Sequence, residues 1–197
     1  MRIDHFEHHF RGLARSHRHR LVGERLAIGS EGRPEGRADG TFHRLLEYAV
    51  LASETDPHDP MEQAFQSLAG THLANTEHLH PDWQLAREYE LSPDLLAMSH
   101  LWQVPASARS EVAAKGAPEA IADLCHLPPD ERERLAARAA ELADDGLRVL
   151  AVARAQHPGT DWPALQHDFE FRFIGLIGLA DPLRENVPAA VARCRAA

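Results

Sequence analysis

One segment of this chain is best suited to chemistry, because it places a lysine and a glycine next to the start of a helix. The segment is Lys115-Gly116-Ala117-Pro118-Glu119, and it follows a short apolar run. Gly116 allows the backbone to turn, and Pro118 suits the first turn of a helix because its φ is already helical. The pattern predicts a cation at a strand end, beside a helix N-terminus. The partial positive charge of a helix N-terminus favours a phosphate group.

Short strands precede this segment. Alternating or apolar runs predict strands at 85–91, 98–104 and 111–115, with tight turns between them. Since tight turns join antiparallel neighbours, the three strands form a meander. Period-two alternation in the first strand places four residues on one side: Leu85, Arg87, Tyr89 and Leu91. Longer apolar runs at 147–153 and 169–180 predict further buried strands.

Helix start and stop signals flank these strands. Helices are predicted from Thr41, from Pro60 to a stop at Gly70, after Pro118, from Pro129 to Gly146, and from Pro188. In the second helix, Asp59 is the N-cap and Glu62 lies in the first turn, where a carboxylate is favoured. On local grounds Glu62 is a helix-start residue. The fold class that follows is α+β, an antiparallel sheet flanked by helices.

The opening of the chain carries weaker signals. Residues 1–12 are predicted as a strand and a loop, and the glycine-rich stretch 28–40 as a surface loop. The chain has 14 histidines, of which five lie near the N-terminus: His5, His8, His9, His17 and His19. Imidazole is a common metal ligand, but interleaved arginines oppose a bound cation. We therefore expect no metal site, and a histidine-rich metal-binding or interaction module stays the alternative.

Composition bounds the function further. A formal net charge of -9 argues against nucleic-acid binding, which needs a basic face. Cys125 and Cys194 have no metal-ligand spacing, so free thiols are expected. No apolar run approaches the ~18 residues that a membrane span requires. The 197 residues fit one domain, or one domain plus a fragment of another.

Four segments, taken in order, resemble the nucleotide-binding domain of cation-transporting P-type ATPases. They are Asp-Pro-Met-Glu-Gln-Ala-Phe at 59–65, the Lys115 segment, Asp-Gly-Leu-Arg-Val-Leu-Ala at 145–151 and Asp-Pro-Leu-Arg at 181–184. The resemblance implies an antiparallel sheet flanked by helices, inserted into a phosphorylation domain. It divides the chain into a variable start at 1–40, a nucleotide-binding domain at 41–180, and a hinge with the start of the phosphorylation domain at 181–197.

The resemblance also implies roles for individual residues. Glu62 would contact the adenine amino group, Lys115 would line the base of the adenine pocket, and Gly116, with Ala117 beside it, would let the nucleotide approach. Arg148 would reach the phosphates, and Leu150 would pack on the base. Asp181 and Arg184 would belong to the hinge. Local alternatives are an ion pair for Arg148 and an ordinary turn for Asp181.

The sequence departs from the family where many members place an aromatic residue on adenine and a lysine shortly afterwards. Leu91 and Leu96 align with those positions. Leucine packs on a base but has no π-face, so weaker adenine binding is predicted. Tyr89 lies two residues before Leu91, hence on the same side of a strand, and is a candidate substitute.

Segments needed for turnover are missing. The family requires Asp-Lys-Thr-Gly-Thr, Thr-Gly-Asp and Gly-Asp-x-x-Asn-Asp segments, and none occurs here. A stand-alone phosphatase would need an Asp-x-Asp segment, which is absent too. We therefore expect an excised ATP-binding domain, monomeric by itself, that does not turn ATP over.

The resemblance further implies a setting. ATP would bind as Mg-ATP in the full-length protein, with the phosphorylation, actuator and transmembrane domains of the same protein as partners. The chain would be a cytoplasmic domain of an integral membrane protein. The Lys-Gly-Ala-Pro-Glu form is typical of calcium, sodium/potassium or proton pumps, and calcium transport, in a bacterial pump, is our interpretation.

Overall fold

The secondary structure alternates helix pairs with strands along the chain. A computed structural model describes residues 21–24, 38–180, 191 and 193–195. The strands are β1 Leu21–Glu24, β2 Gln84–Tyr89, β3 Ala97–Gln103, β4 Arg109–Gly116, β5 Leu147–Pro158 and β6 Arg172–Ala180. The helices are α1 Ala38–Leu51, α2 Pro60–His72, α3 Pro118–Leu124 and α4 Pro129–Asp144, with a short 3-10 turn at Gln166–Asp168.

All the strands named above belong to one antiparallel sheet. Its order is β1-β6-β5-β4-β3-β2, so β2, β3 and β4 form the predicted meander and β5 follows across the intervening helices. The predicted fold class, α+β with an antiparallel sheet flanked by helices, is confirmed. No helix in the described ranges is long and apolar enough to cross a membrane.

The two faces of the sheet carry separate apolar cores. One face, here called the α1/α2 face, packs Leu46 and Phe65 of those helices against Val152 and Ile177 of the sheet. The opposite face, the α3/α4 face, packs helices α3 and α4 against the other set of strand side chains. Because strand side chains alternate between faces, neighbouring residues of one strand serve different cores.

A β-bulge overturns one predicted alternation. The β2–β3 register shifts between Leu85 and Arg87. As a bulge inserts an extra residue, it moves the residues after it to the other face. Leu85 consequently packs on the α1/α2 core while Tyr89 lies in the α3/α4 core. The prediction that both share one side is wrong.

The sequence signals located the helices, but the observed ends of α1 and α2 differ from the predicted ends. Asp59 caps α2 by accepting from the Met61 and Glu62 N–H groups, as its position predicted. Gly70 does not end α2, which continues to His72, and α1 begins at Ala38 rather than Thr41. Leu91 lies beyond the end of β2. Segment 1–12, the N-terminal histidines, Asp181 and Arg184 lie outside the described residues.

Candidate functional site

A buried ion pair joins the end of β4 to the start of α2. The Lys115 ammonium donates to a carboxylate oxygen of Glu62 and, at 2.6 Å, to Ser53 Oγ. The second carboxylate oxygen of Glu62 accepts from the Glu54 N–H at 3.2 Å. Lys115 is 4% exposed and Glu62 6% exposed. The structure therefore brings Lys115 and Glu62, which the sequence analysis singled out, into direct contact.

Local structure explains how the pair is held. Pro60 occupies the first helical position after the Asp59 cap, which fixes Glu62 in the first turn of α2. Ser53 follows the end of α1, and its hydroxyl donates to the Ala49 carbonyl at 2.7 Å. The end of α1 and the start of α2 thus meet the end of β4 at the Lys115 ammonium. Ser53, after α1, and Glu62, in α2, supply the acceptors.

Opposing effects act on the Lys115 charge. Burial lowers the pKa of Lys115, while the hydrogen bond and charge of Glu62, and then the charges of Asp59 and Glu54, oppose the lowering. An isolated buried ammonium would lose its proton, whereas a carboxylate in direct contact favours the charged form. We therefore treat Lys115 and Glu62 as a charged pair.

Gly116 is required by a close backbone approach. A Cβ at this position would lie 2.4 Å from the Leu96 carbonyl oxygen and 2.6 Å from the Ala97 Cα. The same carbonyl accepts from the Ala117 N–H at 2.9 Å. Ala117 then serves as the N-cap of α3 without a side-chain hydrogen bond. The glycine therefore serves β3–β4 packing, and α3 begins beside Leu96.

Apolar side chains border this end of the sheet. Leu91 is 57% exposed and Leu96 47% exposed, and they flank the turn that joins β2 to β3. Leu150 is half-buried and packs with the α1/α2 core, on the same face as Lys115. Arg148 precedes it by two residues on β5, so it shares that face, and it is exposed.

Tyr89 does not join the group around Lys115. Its hydroxyl donates to the Pro163 carbonyl at 2.7 Å, and its ring meets Phe169 edge-on at 5.4 Å. Both contacts lie in the α3/α4 core, across the sheet from Lys115. The interpretation of Tyr89 as a substitute aromatic at the pocket is wrong, because the bulge in β2 turns the ring to the other face.

Sequence reasoning missed His100. It is 2% exposed, and its Nδ1 has no hydrogen-bond partner. It lies on the neighbouring strand β3, two residues after Met98, which pairs with Lys115. Burial, aided by the Lys115 charge, lowers the pKa of His100, although the charges of Glu88 and Glu62 and the Leu51 backbone oppose the shift. A histidine inside a predicted strand, beside Leu101 and Trp102, was the available signal.

The His100→Leu variant tests this environment. Because the folded pKa of His100 lies below the 6.5 of the free side chain, the unfolded chain binds the proton more tightly. The contribution of neutral His100 to the free energy of unfolding is therefore fully present above pH 6.5 and is lost as the pH falls below it. As the pH falls from about 7 to about 5, the native protein should lose more unfolding free energy than His100→Leu does. Parallel pH profiles from urea unfolding would contradict the assignment.

A second polar cluster fixes the chain after α2. Glu47, on α1, contacts His78 Nδ1 at 2.7 Å and His80 Nε2 at 2.6 Å, and His80 stacks on Trp83. Within the described ranges, no group of three or more His, Cys, Asp or Glu side chains is arranged to hold a metal ion. We assign the Glu47 cluster a structural role.

A groove lies at the other end of the strands. It has a volume of about 460 Å³ and is lined by the β3–β4 turn and residues next to it, including Gln103, Ser107, Arg109 and Thr160. Arg109 and Gly116 are opposite ends of β4, so the groove is remote from the Lys115–Glu62 pair. It includes none of the residues that the sequence singled out.

Comparisons with known proteins point to one family. Residues 53–186 match the family model described as P-type ATPase, cytoplasmic domain N. The chain is 32% identical over 165 residues to an endoplasmic reticulum calcium ATPase of Aspergillus fumigatus, covering 73% of this chain and 17% of that protein. It is 31% identical over 121 residues to a sodium/potassium exporting P-type ATPase of Schizosaccharomyces pombe, covering 56% of this chain and 12% of that protein. The chain thus spans less than a fifth of either relative.

Proposed function

The chain belongs to the P-type ATPase cytoplasmic domain N family, and from that premise we propose that it is the ATP-binding domain of a cation-transporting pump. The observation that carries the proposal is the buried Lys115–Glu62 pair beside Gly116, at a sheet end bordered by exposed leucines. A carboxylate, an ammonium and apolar side chains are the groups that a purine base needs for hydrogen bonding and packing.

Roles follow for the residues at this end of the sheet. Glu62 accepts from the adenine amino group, Lys115 closes the base of the pocket, and Leu150 packs on the ring, with Leu91 at its edge. Gly116 and Ala117 let the nucleotide approach the backbone. Arg148 lies farther along β5 and reaches the phosphates.

The whole protein then supplies what this chain does not contain. The γ-phosphate is presented to a catalytic aspartate outside the chain, and the nucleotide there is Mg-ATP. The phosphorylation, actuator and transmembrane domains of the same protein are the partners, and the chain is a cytoplasmic domain of a membrane protein. Asp181 and Arg184 belong to the hinge. Calcium is the ion we propose, and the calcium ATPase match across 73% of the chain supports it.

An ATP titration followed by backbone amide shifts tests the proposal. We expect the shifts to concentrate at Glu62, Lys115, Gly116 and Leu150. Leu91→Phe should strengthen ATP binding up to about tenfold, because an aromatic ring contributes about 0.5–1.5 kcal/mol beyond its area. Leu91 is more than half exposed, so the exchange does not disturb a core.

The matched control is Leu79→Phe. Leu79 is also exposed, at 39%, and it lies three residues before Asp82, which lines the groove at the other end of the strands. ATP affinity should be unchanged in this variant. Amide shifts that appear with zinc and are absent with ATP would contradict the proposed function and favour metal binding. Unchanged or weaker ATP binding by Leu91→Phe would remove Leu91 from the pocket.

A further inference from the structure

We infer that Gln166, in the connection from β5 to β6, is a positioning residue for the proposed nucleotide pocket. It holds the turn between β2 and β3, which carries Leu91 and Leu96, from the α3/α4 face of the sheet. The inference rests on the proposed function, because this turn borders the proposed pocket. It goes further by assigning a role to a residue on the opposite face of the sheet from Lys115.

The side-chain amide of Gln166 is hydrogen-bonded through both its oxygen and its nitrogen. Its Oε1 accepts from the Ser99 hydroxyl at 2.7 Å, and its Nε2 donates to the Ala97 carbonyl at 3.2 Å and to the Glu90 carbonyl at 3.4 Å. Since carbonyl oxygens only accept, the NH2 group must face them, and this fixes the orientation of the amide. Gln166 is 7% exposed, so these partners take the place of water.

The two carbonyls lie where the regular pairing of β2 with β3 is interrupted. The register of the two strands ends at Tyr89 and Ser99, and the turn beyond closes at a bridge between Ser92 and Leu95. Between these two pairs, one strand has two residues and the other has three. Because unequal numbers of residues disrupt the ladder, the Gln166 amide supplies donors that a neighbouring strand supplies elsewhere.

The positions of the turn leucines depend on this support. Leu91 is 57% exposed and Leu96 47% exposed, so they follow the backbone of the turn rather than the packing of a core. Ala97 pairs with Gly116 of β4, and its carbonyl accepts from Gln166. The first residue of β3 is therefore held both by β4 and by the glutamine.

The segment that carries Gln166 is itself attached to the rest of the domain. Gln166 begins a short 3-10 turn, and Phe169, which follows this turn, is 2% exposed. Just before the turn, the Pro163 carbonyl accepts from the Tyr89 hydroxyl at 2.7 Å. Within the turn, His167 Nε2 lies 2.9 Å from a carboxylate oxygen of an aspartate on α3. A glutamine fixed in this way can hold the β2–β3 turn in one conformation.

Gln166→Met tests the inference, because methionine has a similar length but has no N–H group for the Glu90 and Ala97 carbonyls. Without these bonds, we expect the turn to keep its binding conformation for only part of the time. If that part is about a tenth, the apparent dissociation constant of ATP rises about tenfold. An ATP titration followed at the Gly116 and Leu150 amides measures the constant.

Thr76→Val is the control for general loss of stability, because it also removes side-chain hydrogen bonds with little change of shape. Thr76 Oγ1 donates to the Leu73 carbonyl at 2.7 Å and accepts from the His78 N–H at 3.2 Å. It follows α2, at the other end of that helix from Glu62. Both variants should lower the midpoint of thermal unfolding, whereas Thr76→Val should leave the dissociation constant of ATP unchanged.

A measurement on the unchanged chain needs no substitution. The side-chain amide protons of Gln166 should exchange with solvent more slowly than those of Gln103, which is exposed. They should also give nuclear Overhauser contacts to Glu90 and Ala97. Exchange as fast as that of Gln103, without these contacts, would contradict the inference even if Gln166→Met does not fold.

The outcomes separate the inference from the proposed function. If ATP binds the unchanged chain, equal affinity for Gln166→Met would overturn the inference and leave the proposed function intact. Equal weakening by Thr76→Val would do the same, because the loss would then follow from stability alone. Absence of ATP binding by the unchanged chain would overturn the proposed function, and the inference with it.

Discussion

Replacing Glu62 with glutamine is expected to lower the free energy of unfolding by about 3 kcal/mol, because it leaves the buried Lys115 ammonium without its carboxylate. Glutamine has nearly the same shape, so packing is preserved and the loss reports the charge. Its side chain can still accept from the Glu54 N–H, as Glu62 does at 3.2 Å. Urea unfolding, followed by far-UV circular dichroism, measures the change.

A double-mutant cycle separates this pair from general damage to the helix start. Lys115→Met alone should also destabilise the fold, because it leaves the Glu62 carboxylate buried and unpaired. The double variant Glu62→Gln/Lys115→Met removes both charges and should be more stable than the sum of the single losses predicts, by about 2 kcal/mol. Strictly additive losses would show that the two charges do not stabilise one another.

Alanine at Gly116 should be the other severe change, lowering the free energy of unfolding by about 3 kcal/mol. The added methyl group would overlap the Leu96 carbonyl and the Ala97 backbone, both at less than 3 Å. Neither is the far end of a flexible side chain, so β3 and β4 must separate. Because the Ala117–Leu96 hydrogen bond shares that carbonyl, nucleotide binding should weaken along with stability.

Gly70→Ala provides the comparison for the loss at Gly116. Gly70 lies within α2, and a Cβ there would meet nothing within 4 Å. The exchange should therefore stabilise the protein by about 0.5–1 kcal/mol through backbone entropy and helix propensity. Equal effects of the two glycine substitutions in thermal unfolding would show that backbone contact at Gly116 is not the cause.

The fold was predictable from sequence because its signals are local. Apolar runs and tight turns indicated the meander, and Asp59 with Pro60 indicated the start of α2. The face of Tyr89 was not predictable, because a bulge at Leu85 and Arg87 depends on pairing with β3. The six residues of β2 carry no sequence signal that shows where an extra residue is accommodated.

The sequence indicated which residues lie near one another at the candidate site. It did not indicate the contacts that these residues make. Lys115 and Glu62 were assigned to one pocket by resemblance, but their direct ion pair depends on the packing of α1 and α2. His100 was missed for the same reason, since its burial follows from helices that lie across its strand. The helix start after Gly116 first indicated a phosphate site, whereas the structure shows the Lys115 ammonium paired with the Glu62 carboxylate.

The position of β1 in the sheet has a consequence for folding kinetics. Among the described strands, β1 pairs with β6 alone, and Leu21 is opposite Leu179 in the register. Nearly the whole described chain separates these two strands in sequence. Neighbouring pairs such as β2–β3 and β3–β4 close short loops, which is fast, whereas the β1–β6 contact must close a very long one. We therefore expect assembly to run from the meander outward, with β1 joining a sheet whose other five strands have already formed.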